Sequence, residues 1–394
     1  MLLSLALIFL SSLLMGTVCA KIKIPSLLGM LAVGIIFGPF VLNLIDESIL
    51  SISADLRKIA LIIILTRAGL NLNIADLKKV GRPAVLMCFL PALCEIIGMI
   101  LIAPKMFGIS IIEAAIMGAV LAAVSPAVVV PRMLSLIETG YGTKKGIPQL
   151  IMAGASVDDV FVIVLFTSFI GLAAGNDVSA LNLIRIPTSI LTGLIGGALC
   201  GFLLSVFFGK FHIRDSIKVI IILSVSFLLV TLEDCAAGVV GFSGLLAIMS
   251  MGAVYGKKSE AAAKRISIKY SKLWVAAEIL LFVLVGATVD ISYAVKFGSK
   301  AIILIFAVIL FRMAGVLLCM VKTELNMKER VFCMLAYSPK ATVQAAIGSI
   351  PLTMGLPCGN LVLTVAVLAI LITAALGAFA IDNSYKKLLC ENEK

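Results

Sequence analysis

The chain has 394 residues, 62% of them hydrophobic and 13% charged, with a mean hydropathy of +1.20. A soluble domain carries about 25% charged residues, so a soluble globular protein is excluded and lipid is the solvent this sequence needs. The formal net charge of +11 would suggest a nucleic-acid partner in a soluble protein, whereas in a membrane protein it belongs to the cytoplasmic loops.

Spanning the hydrocarbon core takes about 20 apolar residues per helix. Apolar runs between charge clusters predict thirteen such spans, at 1–20, 25–43, 56–72, 81–103, 109–133, 147–174, 181–207, 216–232, 238–255, 270–291, 299–321, 328–350 and 356–380. The alternation of a membrane β-barrel is absent. Residues 1–20 end in "TVCA" like a signal peptide, but no Lys or Arg precedes the apolar run, so they read as the first span. Nine cysteines without a CxxC pair predict reduced, packed thiols, and His212 in a basic loop reads as solvated. "GLIGGALCG" at 193–201 reads as close helix packing rather than a nucleotide loop. Trp274 and most tyrosines read as interfacial, and Arg67 as a snorkelling arginine. After the last span only a short tail remains, so no appended soluble domain is expected.

Most Lys and Arg residues fall in loops after odd-numbered spans, which places the N-terminus outside and the C-terminus in the cytoplasm. Thirteen spans divide as six, one and six. The second six then start from the opposite face, giving an inverted repeat of the kind found in secondary transporters.

The fifth span of each half is interrupted. "AAVSPAVVVPRM" carries Ser125, Pro126 and Pro131, and "AYSPKATVQAAIGSIP" carries Ser338, Pro339, Lys340, Thr342 and Gln344. Proline removes a backbone donor and clashes with the preceding turn. A mid-span Ser-Pro therefore favours unwinding, which survives at membrane depth only inside protein or beside water. Matched breaks point to an ion site where the two segments cross. Half-helix ends carry about half a charge each, and Lys340 suits compensation of the C-terminal ends.

Mid-span charges cost about 2.5–3.5 kcal/mol each on insertion scales and are functional by default. The set is Glu95, Asp158, Asp159, Arg312 and Lys340. Glu95 and Arg312 lie in the fourth span of each half and are expected to form a bracing ion pair. Two bases leave one carboxylate over. Asp158 and Asp159 in "ASVDDV" project about 100° apart on a helix, so one can pair with Lys340 while the other faces a cavity. A carboxylate without a basic partner can hold either a proton or a small cation, completed by hydroxyls such as Ser125 and Ser156, carbonyls and water.

At these residues the chain resembles the monovalent cation–proton antiporter superfamily, the sodium/hydrogen exchangers, over essentially its whole length. "PSLLGMLAVGIIFGPFVL" is similar to the family's second helix, "ASVDDV" to its two-aspartate motif, and "SPAVVVP" with "SPKATVQAAIGSIPL" to its crossed, unwound helices. "RAGLNLN" and the last phrase are most similar to the NHA-type branch. The resemblance implies an all-α polytopic fold with two six-helix inverted repeats. It implies a homodimer with scaffold helices in 1–80 and 216–295, core helices in 81–174 and 296–380, a linking helix in 175–215 and a tail at 381–394. Asp159 would match the essential ion-binding carboxylate and Asp158 its paired neighbour. Many two-aspartate members carry a lysine where this chain has Arg312; here the lysine is Lys340, as in the NHA branch.

The expected function is sodium (or lithium) for proton exchange across a prokaryotic inner membrane, with no cofactor and no nucleic acid, in contact with lipid, monovalent cations and protons. Potassium–proton exchange, sodium-coupled organic-anion symport, a passive channel and an intramembrane aspartyl protease are the alternatives. The protease fits poorly, because its two aspartates come from two helices and no GxGD is present.

Overall fold

A computed structural model describes residues 1–71, 81–174, 180–211, 213–236 and 241–391, and His212 lies outside them. Among the described residues the chain is helical, and its only strand-like feature is an isolated bridge between Tyr141 and Glu391. The helices are α1 (Leu2–Lys21), α2 (Ser26–Phe37), α3 (Glu47–Ser51), α4 (Ser53–Asn71), α5 (Arg82–Met87) and α6 (Leu90–Phe107). They continue as α7 (Ile111–Ala122), α8 (Pro126–Thr139), α9 (Ile147–Ala174), α10 (Ala180–Lys210), α11 (Asp215–Ala236) and α12 (Gly244–Lys258). The last are α13 (Glu260–Ala287), α14 (Ile291–Cys319), α15 (Met327–Ala336), α16 (Thr342–Ile347), α17 (Ile350–Thr353) and α18 (Gly359–Leu388).

Each expected span coincides with a helix or a broken helix. Among the described residues, nine helical segments are long and apolar enough to cross a membrane by length and composition. The fifth span breaks between α7 and α8, and the twelfth between α15 and α16. A third break, at Cys88–Phe89 between α5 and α6, was not expected. Its cause is Pro91, whose ring displaces the carbonyl of Met87 four residues back. That carbonyl instead accepts a 2.9 Å hydrogen bond from the Tyr337 hydroxyl.

The expected unwound stretch from Ser125 to Pro131 is shorter in the structure. Only 123–125 leave the helix. Pro126 is the first residue of α8, where a missing N–H costs nothing. Pro131 stays inside α8, between the buried Val128, Val129 and Met133.

Two compact units divide the chain. One holds α1–α3, α5–α8, α9 through Val162, α13 from Ile279, and α14–α18. Its interior includes a cluster of Met87, Val124, Met133, Ile151, Phe332 and Tyr337. Here α6 packs on α14 through small residues: a β-carbon at Gly98 would strike the Phe311 ring, and one at Gly315 would strike Pro91 and Cys94. The other unit holds α4 from Asp55, the rest of α9, α10–α12, and α13 through Glu278. Gly193, Gly197 and Gly201 lie against the backbone of Ser243, Ala247 and Met251 in this unit. The glycine-rich run therefore seats α10 on α12 at backbone contact, the small-residue packing of membrane helices.

All nine cysteines are free. Tyr255, Tyr270, Tyr337 and Trp274 are buried within the protein. Burial suits their polar ends where a carbonyl accepts them, as Val219 does for Tyr270.

Replacing Gly197 by Val should overpack this contact by about 1–3 kcal/mol. Thermal denaturation of the purified protein should show a lowered Tm. Gly209→Ala, where a β-carbon meets nothing, should leave it unchanged. Equal behaviour of the two variants would refute backbone contact at Gly197.

Candidate functional site

The two breaks meet backbone to backbone. Ser125 N–H donates to the carbonyl of Pro339 at 2.8 Å, joining the link 123–125 to the unwound stretch 338–341. Each break exposes a helix end with unpaired carbonyls. At the end of α7, Gln344 Nε2 donates to the carbonyls of Leu121 (3.1 Å) and Ala123 (2.8 Å). Arg312 donates to the carbonyl of Ala122 between them. At the end of α15, Arg312 Nε donates to the carbonyl of Tyr337 at 2.6 Å, with the guanidinium 4.9 Å from that residue's ring centre.

The same guanidinium holds both carboxylates. Arg312 Nη1 lies 3.0 Å from Glu95 Oε2, and Nη2 lies 2.9 Å from Asp158 Oδ2. Asp158 Oδ2 also accepts the Val124 N–H at 2.8 Å, just ahead of α8. An anion there suits the positive end of that helix. Lys340 Nζ lies 2.6 Å from Glu95 Oε2, and its backbone N–H donates to Thr373 Oγ1 at 2.9 Å. Glu95, Asp158, Arg312 and Lys340 are all fully buried.

This differs from the expected pairing. Lys340 sits on Glu95, not on Asp158, and the helix ends are compensated by Arg312 and Gln344 rather than by Lys340. The physical reason is shape. A guanidinium offers five donors in a fixed planar fork and can serve two carboxylates and two carbonyls at once, whereas an ammonium is a compact point charge. The expected Glu95–Arg312 contact is present, within a chain of four charges that sums to zero.

Asp159 stands outside that chain. It is 8% exposed and makes no ion pair among the described residues. The side chain of Ser156, also expected here, lies outside the described residues. Ser125 and Ser338 flank the two breaks, and Ser338 Oγ donates to the carbonyl of Leu335 at 2.8 Å.

Six buried polar atoms at the crossing have no hydrogen-bond partner: Glu95 Oε1, Ser125 Oγ, Asp158 Oδ1, Asp159 Oδ1, Thr342 Oγ1 and Gln344 Oε1. All six are oxygens. The side-chain nitrogens of Arg312, Lys340 and Gln344 are engaged. Buried polar atoms are ordinarily satisfied, so six unpartnered ones at a single crossing, three of them carboxylate oxygens, suit a proton or a cation. Among the described residues, no three His, Cys, Asp or Glu side chains group so as to hold a metal ion.

One intramembrane charge escaped the sequence reasoning. Glu278 of α13 is close enough to Arg67 of α4 to interact with it electrostatically. It was overlooked because α13 begins with a long polar stretch that disguises the depth of its second half. Arg67, read as snorkelling, is the signal that could have found it.

The sequence matches the family described as "Sodium/hydrogen exchanger, transmembrane" over residues 8–382. The chain belongs to that family and is a multi-pass membrane protein. It is 35% identical over 384 residues to Sodium/hydrogen exchanger 9B2 of Homo sapiens, covering 93% of this chain and 70% of that protein. It is 32% identical over 405 residues to Sodium/hydrogen exchanger 9B1 of Homo sapiens, covering 97% and 77%. Its fold matches the sodium proton antiporter MjNhaP1 from Methanocaldococcus jannaschii with a TM-score of 0.85 at 22% identity, covering 98% and 97% of the two chains.

Arg312→Gln should strand two buried carboxylates and cost about 3–5 kcal/mol of stability. Lys340→Gln should cost less, because Glu95 keeps Arg312. Thermal unfolding of both variants in one detergent tests the order. A Lys340→Gln protein as unstable as Arg312→Gln would show that the arginine is not the hub.

Proposed function

We propose that the protein exchanges sodium or lithium for protons by alternating access, with cation and proton competing for Asp159. The observation that carries this reading is the all-oxygen surplus at the crossing, beside a four-charge chain that is already neutral. Four of these atoms, on Glu95, Asp158, Asp159 and Gln344, are carboxylate or amide oxygens that only accept, and a pocket so rich in acceptors favours whatever brings positive charge. The family and the relatives' names point to the same two ions.

In this mechanism Asp158, Glu95, Arg312 and Lys340 keep the crossing intact while Asp159 changes its occupant. Unoccupied, Asp159 adds an uncompensated negative charge, and carrying it through a closed state is costly. A bound proton or cation cancels that charge and permits the transition, which couples the two fluxes. Ser125 and Ser156 serve as further oxygen ligands, and no cofactor takes part.

The protein is proposed to work as a homodimer in a prokaryotic inner membrane. Scaffold helices lie in 1–80 and 216–295, core helices in 81–174 and 296–380, and a linking helix in 175–215. The excess of basic residues in alternate loops favours an outside N-terminus and a cytoplasmic tail at 381–394.

Purified protein in liposomes with an imposed pH gradient should dissipate that gradient on addition of sodium or lithium. The apparent KM for sodium should fall as pH rises, because fewer protons compete. Asp159→Asn should abolish the exchange. No cation-dependent dissipation between pH 6 and 9, or full activity of Asp159→Asn, would defeat the proposal.

A further inference from the structure

The proposed cation has one carboxylate to bind, and a small hard cation takes about six oxygen ligands, so neutral oxygens must complete its shell. Ser125 is an obvious source from the first break. The second break offers a source that the sequence reasoning did not assign.

Two other helical threonines, the buried Thr66 and the half-buried Thr167, bond to their own helix. Thr66 and Thr167 each donate to the carbonyl four residues back, at 2.7 and 2.5 Å. Thr342 does not, because its carbonyl four residues back belongs to Ser338, in the unwound stretch. Thr342 is 2% exposed, and its hydroxyl has no partner. Ser125 behaves the same way. Serine is a preferred helix cap, yet Ser125 begins α8 without a side-chain cap and is fully buried with its Oγ unpartnered. Each broken helix thus withholds one hydroxyl from the backbone at the start of its second half.

The position also fits. Residues on either side of Thr342 touch the link of the first break, Pro339 at Ser125 and Gln344 at Ala123, and Gln344 also reaches Leu121 at the end of α7. Asp158, the neighbour of Asp159, touches that same link at Val124. Thr342 therefore belongs to the same crossing as the carboxylates, on the opposite repeat from Ser125.

We propose that Thr342 Oγ1 is a ligand of the transported cation, so that both broken helices contribute to its shell. The inference rests on the exchange reading above. It gives the second break a role in cation affinity beyond holding Lys340 in place.

Thr342→Val tests it, because valine keeps the shape and removes only the hydroxyl. Losing a hydroxyl that has no partner in the protein should leave the Tm without cation at or above that of wild type. Loss of a ligand to a charged group should raise the apparent KM for sodium about tenfold or more, and shrink the sodium-dependent rise in Tm to match. Thr342→Ser should restore both readouts and keeps the test open if the valine protein folds poorly. Wild type without cation-dependent exchange would defeat the exchange reading itself. Wild-type exchange together with an unchanged sodium KM in Thr342→Val would overturn this inference alone.

Discussion

The fold depends on one buried guanidinium. Breaking two helices at membrane depth leaves two sets of carbonyls without partners and no water to receive them. Arg312 reaches Ala122 at the end of α7 and Tyr337 at the end of α15, and it pairs with Glu95 and Asp158 besides. No other side chain could do all four tasks, because only arginine carries five donors in one plane and keeps its charge when buried. Its reach in turn requires α6 and α14 to approach closely, which Gly98 and Gly315 allow. The glycines, the ion pairs and the broken helices are therefore one structural solution.

That solution explains why two adjacent aspartates differ. Asp158 faces the guanidinium and the Val124 amide, so its charge serves the crossing. Asp159, a third of a helical turn away, takes no share in that compensation. A carboxylate that belongs to the fold's charge balance cannot change its occupant without loosening the crossing, whereas one outside the balance can. The division of labour follows from helical geometry plus a count of two bases against three acids.

Much of this was legible in the sequence. Hydropathy revealed the spans, Ser-Pro marked both breaks, and the mid-span charges named the buried set. What was not legible depends on three-dimensional reach. Lys340 was expected on Asp158 because both suit an ion pair, but nothing in one dimension tells an ammonium from a guanidinium as the partner of a given carboxylate. The break at Cys88–Phe89 was hidden because Pro91, mid-span though it is, lacks the Ser-Pro pairing that marked the other two breaks, and its consequence appears only when Tyr337 arrives to satisfy Met87. Thr342 read as one more residue in an unwound stretch. Its distinction is a missing hydrogen bond, which no sequence displays.

Several residues that brace the crossing also leave an acceptor free within it. Glu95 and Asp158 each commit one oxygen to the ion-pair chain and leave the other unpartnered, and Gln344 commits its nitrogen and leaves its oxygen. A site made of separate binding residues could be filled or emptied without the fold sensing it. Here Glu95, Asp158 and Gln344 brace the crossing and also present an acceptor within it, so under the proposed exchange occupancy and the packing of the two broken helices would be energetically linked. A cation or proton that satisfies those oxygens lowers the cost of keeping them dry. The occupied crossing is then the better-satisfied one, the condition under which a buried site can move as a unit while an empty one resists.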